Sequence, residues 1–226
     1  YINLSNDDYK LGGSSFGQIN NKIGNDAPTI KDPSNFKKTF NLIQNLIKED
    51  KILSGHDISS GGLITSLLEM CFTDNNLGME INLTSLNEED IVKILFSENS
   101  GIIFQSKLKL NEFFDKEKIS FHEIGKVINS HYLNIINYND SYSLDISNYR
   151  DTWFSTSYHF DKIQTKNKLA NKRFKNYKKQ PLEFTFPKIF TGKILNNTKK
   201  INAAIIREKG SNSEREMAYM MSLSGF

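Results

Sequence analysis

The sequence has 226 residues, a net charge of +3 and 38% hydrophobic residues, which is the composition of an ordinary globular chain. Its apolar runs are shorter than the roughly 18 residues of a membrane-spanning helix. The small net charge gives no reason to expect nucleic-acid binding. Cys71 is the single cysteine, so an internal disulfide is excluded and a reducing, cytoplasmic setting is expected. Because the chain begins with Tyr1 rather than Met and ends soon after what looks like the first strand and helix of a new unit, we expect a piece of a longer polypeptide.

The first 50 residues predict a tight turn and one long helix. The double glycine of LGGSSFGQ at 11–18 favours a turn that feeds a helix, although it could also bring backbone close to a ligand. Ser34 is expected to cap a helix that runs to about Glu49. Its core face is expected to be the apolar stripe at helical spacing formed by Phe36, Phe40, Ile43 and Ile47.

Residues 51–72, KILSGHDISSGGLITSLLEMCF, carry most of the functional information. They predict the end of a strand, a polar glycine loop and an apolar helix. The first backbone N–H groups of a helix lack internal partners, and the helix dipole favours an anion there. Asp57 and Ser59 offer hard oxygen atoms at the mouth of the loop, while Gly61 and Gly62 leave room for phosphate oxygens. The stretch therefore suits a magnesium–phosphate corner.

The same stretch has a plainer interpretation. A polar, glycine-rich turn before a helix is commonly a cap, in which Asp or Ser accepts hydrogen bonds from the backbone. Short motifs of this kind often occur without the function they suggest. From the residues alone, both interpretations stay open.

The middle of the chain alternates strands and helices. Glu98, just before an expected buried strand at 102–104, either anchors a turn or contacts a ligand. A cluster of acids after Asn87 is expected to lie in the first turn of a helix rather than at a metal. We expect one mixed sheet up to about residue 147, with further strands at 79–83, 121–128, 132–136 and 142–146 and a helix at 107–117.

The last third changes character. Residues 150–158 predict a helix docked by its aromatic side chains, and the basic, polar stretch 159–200 is expected to be a surface linker. The apolar run at 201–206 predicts a buried strand, followed by a turn and a helix that includes Met217. A strand, loop and helix in this order open a doubly wound domain.

The string HDISSGGL, followed by an apolar helix with Glu69 and Met70, resembles the HD-x-S-x-GGL signature of the phosphoribosylformylglycinamidine synthase family of purine biosynthesis. This family is also called formylglycinamide ribonucleotide amidotransferase. Three further segments resemble the family in the same order, with Asn99 and Ser100 departing slightly from its pattern: LGGSSFGQ at 11–18, LFSENSGIIFQ at 95–105 and REKGSNSEREMA at 207–218. The resemblance spans most of the chain.

The resemblance implies a fold and a domain plan. Residues 1–147 would form the C-terminal α/β sandwich of an aminoimidazole-ribonucleotide-synthetase-like unit, and residues 148–200 a docked helix and basic linker. Residues 201–226 would be the first β–α unit of a doubly wound class I glutamine amidotransferase domain. The nucleophilic cysteine of that domain would lie further along the polypeptide, so Cys71 is not that residue.

The resemblance also implies a chemistry. The full enzyme would be an ATP-dependent C–N ligase, in which ATP activates the amide oxygen of formylglycinamide ribonucleotide and ammonia from glutamine displaces phosphate. At the matching positions Asp57 would be a Mg²⁺ ligand and Ser59 a nucleotide contact, with ATP at a catalytic site or ADP at an auxiliary one. The other metal ligands would belong to an earlier part of the polypeptide, and this piece alone would hold no catalytic residue and be inactive.

The implied partners are the nucleotide, glutamine-derived ammonia and the remaining domains of the same polypeptide, without nucleic acid or membrane. Two alternatives stay open. The chain could belong to another ATP-dependent enzyme of the same superfamily, such as selenophosphate synthetase or thiamine-phosphate kinase, although the glutaminase-like segment at 201–226 argues against both. It could also be a non-catalytic scaffold that docks a glutaminase.

Overall fold

The computed structural model describes residues 1–73, 76–166, 168–179, 185 and 201–226. The chain divides into two compact units, Tyr1–Lys178 and Lys179–Phe226. The strands of the first unit are β1 (Ile2–Asn3), β2 (Ser54–Ile58), β3 (Gly78–Asn82), β4 (Gly101–Gln105), β5 (Gly125–Ile128), β6 (Tyr132–Asn137) and β7 (Asp140–Asp145). Its helices are α1 (Ser15–Ile19), α2 (Pro33–Lys48), α3 (Gly62–Cys71), α4 (Ile91–Phe96), α5 (Asn111–Lys116), α6 (Ile146–Gln164) and α7 (Leu169–Asn176), with a 3₁₀ turn at Thr84–Leu86.

The strands form two sheets, so the expectation of one sheet was wrong. A three-stranded antiparallel sheet has the order β1-β4-β2, and a four-stranded sheet has the order β5-β3-β6-β7. In the second sheet β3 and β6 are parallel, while the other pairs are antiparallel. The sheet is therefore mixed, and the expected α/β class is confirmed. Strand partners are chosen by long-range packing, which local alternation of residues does not reveal.

Two apolar clusters hold the first unit together. One lies between α3, α4 and the four-stranded sheet, where Leu67, Leu133 and Ile135 are at most 1% exposed. The other lies beneath α2, where Ile43 and Leu46 meet Phe114. Full burial of a side chain of this size contributes about 1.5–3 kcal/mol. The first of these clusters holds α3 in place, and with it the loop that precedes this helix.

Helix α2 begins earlier than expected and buries only part of the predicted apolar stripe. Its N-cap is Asp32, whose carboxylate accepts a hydrogen bond from Asn35 N, and Pro33 opens the helix. Proline suits the first helical position because its missing N–H would have no partner there. The buried residues are Thr39, Ile43 and Leu46. Two members of the predicted stripe, Phe40 and Ile47, are 47% and 45% exposed. Apolar spacing located the helix, but not the edge of its buried face.

Two helix boundaries also differ from the expectation. Helix α4 is capped by Asp90, whose Oδ1 accepts hydrogen bonds from Val92 N and Lys93 N, so the acids before it precede the helix. Helix α5 occupies only Asn111–Lys116 of the expected 107–117. The three strands expected after it are present as β5, β6 and β7. Side-chain capping explains the late start of α4.

The expected basic linker is partly helical. Helix α6 continues through Gln164, and α7 packs against it through a cluster of rings. Phe154 stacks on Tyr177 at 4.1 Å, and Tyr158 stacks on Phe174 at 4.6 Å. Asp161 also pairs with Arg173 at 3.0 Å. Aromatic residues spaced among the lysines therefore build a helical hairpin. The rest of that linker, 180–184 and 186–200, lies outside the described residues.

The second unit contains α8 (Glu214–Leu223), which agrees with the helix expected there. Residues 201–206 form no strand, and Ile206 is 95% exposed, so the expectation of a buried strand was wrong for this structure. A strand needs a neighbour to accept its backbone hydrogen bonds. Among the described residues of this unit no such neighbour is present.

Within the described ranges no helix is both long and apolar enough to cross a membrane.

Candidate functional site

Asp57 lies within strand β2, rather than in the loop where the sequence placed it. The strand pairs with β4, so that Asp57 faces Ile102. Side chains alternate along a strand, and the carboxylate of Asp57 is 80% exposed while Ile58 is buried. The backbone at this point is fixed, because Ser66 Oγ donates to the Asp57 carbonyl oxygen over 3.0 Å. The carboxylate is therefore presented to solvent from a rigid edge.

The glycine loop that follows is a tight turn into α3. Ser59 and Ser60 are exposed, and Gly62 N–H donates to the Ser59 carbonyl oxygen over 3.0 Å. Gly61 and Gly62 have φ of +88° and +74°, values that residues with a Cβ rarely adopt. The structure thus places Asp57 inside the last part of β2 and Ser59 just beyond the end of that strand.

Close packing requires the second glycine. A Cβ on Gly62 would lie 2.5 Å from the Leu95 carbonyl oxygen and 2.8 Å from that of Ser97. Gly62 therefore allows the start of α3 to pack against the end of α4. This contact explains the glycine by itself, without a ligand.

The carboxylate of Glu98 lies beside the glycine loop at the start of α3, where an anion was expected to bind. Its Oε1 accepts a hydrogen bond from Gly61 N at 2.8 Å and another from Ser15 N at 2.7 Å. Glu98 therefore anchors the glycine loop and the start of α1 together. Of the two roles left open for Glu98, the structure shows the anchor. Gly61 was expected to leave room for phosphate oxygens, but its N–H already has an internal carboxylate as its partner.

The charged form of Glu98 is the form that these contacts favour. Burial raises the pKa of its carboxyl group, but the hydrogen bonds from Gly61 and Ser15 outweigh that effect and lower the pKa below its ordinary value. The next residue, Asn99, is 1% exposed, and its Nδ2 donates to Ser5 Oγ and to the Asp8 carbonyl oxygen. The Glu98–Asn99 pair thus holds several loops against the start of β4.

A second set of linked polar side chains also reaches β2. Glu69 Oε2 lies 3.0 Å from His56 Nε2, and Glu69 Oε1 accepts a hydrogen bond from Trp153 Nε1 at 2.8 Å. His56 Nδ1 lies 2.6 Å from the Asp57 carbonyl oxygen. Sequence reasoning missed this set. Its signal was Glu69, an isolated acid on an otherwise apolar helix.

Asp57 borders an open cleft of about 570 Å³ between β2 and α2. Apolar side chains such as Phe104 line its other walls together with the polar residues Ser54 and His56. A second cleft, of about 450 Å³, lies beside β4 and β5 and is lined by neither Asp57 nor Ser59. Asp57 therefore lines one of these clefts, whereas Ser59 lines neither of the two.

Residues 6–136 match the model of the family described as AIR synthase related protein, C-terminal domain. That match covers more than half of the chain. The chain belongs to this family. The matched region includes both sheets apart from β1 and β7, together with the glycine loop and Glu98.

Curated relatives of this AIR-synthase-related chain carry one name. It is 31% identical over 236 residues to "Probable phosphoribosylformylglycinamidine synthase, chloroplastic/mitochondrial" of Arabidopsis thaliana, an alignment that covers 100% of this chain and 17% of the relative. It is 28% identical over 239 residues to the phosphoribosylformylglycinamidine synthase of Homo sapiens, covering 100% of this chain and 18% of the relative. The chain thus spans less than a fifth of the length of these relatives.

Solved structures from Thermotoga maritima match this family domain more weakly. The structure of PurLQS is 19% identical, with a TM-score of 0.46, and covers 60% of this chain and 24% of that chain. PurL complexed with ATP is 18% identical, with a TM-score of 0.45, and covers 53% of this chain and 22% of that chain. Similarity at this level is too low to support an argument about fold or function.

The donor set of the AIR-synthase-related domain fits one part of a magnesium site. Mg²⁺ is usually held by one or two carboxylates together with phosphates and water, and the exposed carboxylate of Asp57 suits that role. In the part of the chain that the structure describes, no group of three or more His, Cys, Asp or Glu side chains could hold a metal. By itself Asp57 thus offers one exposed carboxylate of the kind that Mg²⁺ binds.

Cys71 is a core thiol, as expected. It lies at the end of α3 and is 4% exposed. Burial raises the pKa of the thiol from its ordinary 9.0 to about 11. A thiol with so little thiolate at neutral pH is a poor nucleophile. Its part in this AIR-synthase-related domain is packing.

Proposed function

We propose that this chain is part of a phosphoribosylformylglycinamidine synthase and supplies a magnesium–nucleotide corner to it. One observation carries the proposal: the whole of the chain, through and beyond the family domain, aligns with relatives of that name. The complete enzyme would convert formylglycinamide ribonucleotide, ATP, glutamine and water to formylglycinamidine ribonucleotide, ADP, phosphate and glutamate. The chain would contribute to this ATP-dependent C–N ligase without holding its catalytic residues.

At the corner, Asp57 would provide one carboxylate oxygen to Mg²⁺ and Ser59 would contact the nucleotide. Their positions support these roles, since both residues are exposed at the same end of β2. When bound, Mg²⁺ would neutralise charge on the nucleotide phosphates. The residues of the chain would hold the position of that ion, because the Asp57 backbone is pinned by Ser66. The nucleotide would be ATP, or ADP kept at an auxiliary site.

Binding of nucleotide tests the corner directly. In the complete polypeptide, Asp57→Asn and Ser59→Ala should each lower the affinity for Mg²⁺–ADP, measured by equilibrium titration, by about tenfold or more. Asp115→Asn, an exposed carboxylate on α5, is the matched control and should bind as the unaltered protein does. Unchanged affinity in Asp57→Asn would remove Asp57 from the proposed site.

A second candidate is a scaffold without a nucleotide site of its own. It is favoured by the finding that the described residues contain no metal-binding group of three or more ligands. Titrating the 226-residue chain with Mg²⁺–ADP separates the two candidates. Saturable binding supports a self-contained corner. If the chain alone does not bind and Asp57→Asn weakens binding in the complete polypeptide, a corner completed by other domains is supported. If the chain alone does not bind and Asp57→Asn leaves binding in the complete polypeptide unchanged, the scaffold is supported.

The domain plan belongs to the same proposal. Residues 1–147 would be the synthetase domain, 148–200 a docked helix and linker, and 201–226 the start of a glutamine amidotransferase domain. The resemblance of REKGSNSEREMA at 207–218 supports the last assignment. Sequencing of the complete transcript tests this assignment. The expected result is a nucleophilic cysteine with a downstream His and Glu. We also propose a cytoplasmic location, which imaging of the tagged complete protein would test.

A further inference from the structure

One carboxylate oxygen joins two loops that are distant in sequence. Glu98 Oε1 accepts from Ser15 N, 83 positions away, and from Gly61 N, 37 positions away. Both donors are backbone N–H groups at the start of a helix, so they do not move when the side chain of Glu98 changes its rotamer. The shared acceptor is the flexible member of this three-way contact.

We propose that Glu98 is a positioning residue that couples the LGGSS loop at 11–15 to the SSGGL loop at 59–63. Because the same oxygen accepts both hydrogen bonds, a movement of Glu98 that breaks one of them breaks the other. The two loops therefore keep or lose their anchoring together. For its meaning in catalysis this inference rests on the proposed function, but the coupling itself does not.

The neighbouring contacts favour coupling over a local turn anchor. Gly61 is the N-cap residue of α3 and has no side chain with which to cap the helix. Glu98, from another part of the chain, holds this residue in place by accepting a hydrogen bond from its backbone N–H. Packing brings the three segments together, since Gly62 lies against the Leu95 and Ser97 carbonyls and Phe16 contacts Phe96 at 4.7 Å. The short segment before β4 thus packs against the SSGGL loop and against α1, which follows the LGGSS loop, and it contacts both loops through the carboxylate of Glu98.

The coupling constrains how a phosphate could bind at the corner. An anion that took the N–H of Gly61 would displace Glu98 and release Ser15 N as well. An anion bound only through a metal on Asp57 would leave both N–H groups with Glu98. Protection of the Ser15 and Gly61 amides against hydrogen exchange should therefore change in the same direction in every state of the protein.

Substitution at Ser15 tests the coupling without touching Glu98 or Gly61. Ser15 opens α1, and Ser14 has φ −67° and ψ 156°, so a proline fits the backbone at position 15. Ser15→Pro removes the N–H, and the ring displaces the carboxylate. We expect the Gly61 amide to exchange about tenfold faster or more, measured by residue-resolved NMR, because a hydrogen bond to a charged acceptor is lost. Ser15→Ala keeps the N–H and removes only the hydroxyl that also hydrogen-bonds the Glu98 carboxylate, so it should speed Gly61 exchange clearly less than Ser15→Pro does.

Substitution at Glu98 gives the complementary test. Glu98→Ala should speed exchange at Ser15 and Gly61 together, and Glu98→Gln, which keeps one acceptor oxygen, should restore protection at both in part. Glu89→Ala, an exposed acid just before α4, is the control and should change neither amide. The proposal is overturned if only one of the two amides responds to Glu98→Ala, or if Ser15→Pro leaves Gly61 unchanged.

These measurements need no nucleotide, so their failure is separate from that of the proposed function. If the amides respond together but Mg²⁺–ADP does not bind the complete polypeptide, the coupling holds and the corner fails. If Mg²⁺–ADP binds but the amides respond independently, the corner holds and the coupling fails.

Discussion

The indole Nε1–H of Trp153 donates to Oε1 of Glu69 over 2.8 Å. The other oxygen of that carboxylate lies 3.0 Å from His56 Nε2, on the strand that carries Asp57. Trp153 belongs to α6, which lies outside the 6–136 match to the family. A helix beyond the family domain is thus linked, through one glutamate, to the strand of the candidate corner.

Loss of the indole N–H should weaken this link while keeping the ring. We expect Trp153→Phe to lower the free energy of unfolding by about 0.5–1.5 kcal/mol, the usual contribution of one hydrogen bond. Its ring can still pack against Phe72, whose centroid lies 5.7 Å from that of Trp153. Urea denaturation of the 226-residue chain measures the change. Phe160→Leu on the same helix, at a residue 64% exposed, is the control. Equal stabilities for the two variants would contradict a role for the N–H.

Two glycines with the same φ separate backbone strain from crowding. Gly13 and Gly62 both have φ of +74°, but a Cβ on Gly13 meets nothing within 4 Å while one on Gly62 meets the Leu95 carbonyl oxygen at 2.5 Å. Alanine at either position incurs the strain of positive φ. Gly62→Ala should therefore cost about 1–3 kcal/mol more than Gly13→Ala, because overpacking adds to the strain. Thermal or urea unfolding of the two variants tests this, and equal losses would rule out the close packing of α3 on α4.

Acid should remove a stabilising contribution of Asp7. A hydrogen bond from Thr29 N, opposed by burial and aided by Lys10, lowers the pKa of the Asp7 carboxyl from 3.8 to about 2. A group with a depressed pKa in the folded state stabilises the fold above its unfolded pKa and loses that effect as the pH falls through the folded value. The urea concentration at the midpoint of unfolding should thus decrease as the pH is lowered from 4 to 2. This decrease should be smaller in Asp7→Asn than in the unaltered protein. A control, Asp115→Asn, should follow the unaltered protein, and identical slopes for all three would refute the assignment.

Cys71 should be protected until the fold opens. Its pKa of about 11 and its burial leave little accessible thiolate at neutral pH. Reaction with a thiol-specific chromogenic disulfide should be slow for the folded chain and fast in urea, with a rate that follows unfolding. A fast reaction in native buffer would show that the end of α3 opens locally. The Gly62→Ala variant should react faster than Gly13→Ala, since it loosens the start of the same helix.

The sequence by itself determined the order and type of most elements in the first unit. The period of apolar residues located α2 and α3, and alternation located β3, β6 and β7. It also marked the HDISSGGL stretch and brought Asp57 and Ser59 to one strand end, because neighbours in sequence stay neighbours in space. The aromatic spacing at 150–158 predicted a helix, which is present as α6. It did not predict that a second helix, α7, would pack on it.

Tertiary structure decided which groups meet. Local pattern carries no record of partners far along the chain, so the split into two sheets and the late cap of α4 by Asp90 were not foreseen. The same holds for Glu98, which fills the N–H of Gly61 from 37 positions away, and for the chain from His56 through Glu69 to Trp153. Sequence supplied the residues with the right chemistry, but long-range packing determined which of them are already paired and which, like Asp57, still face solvent.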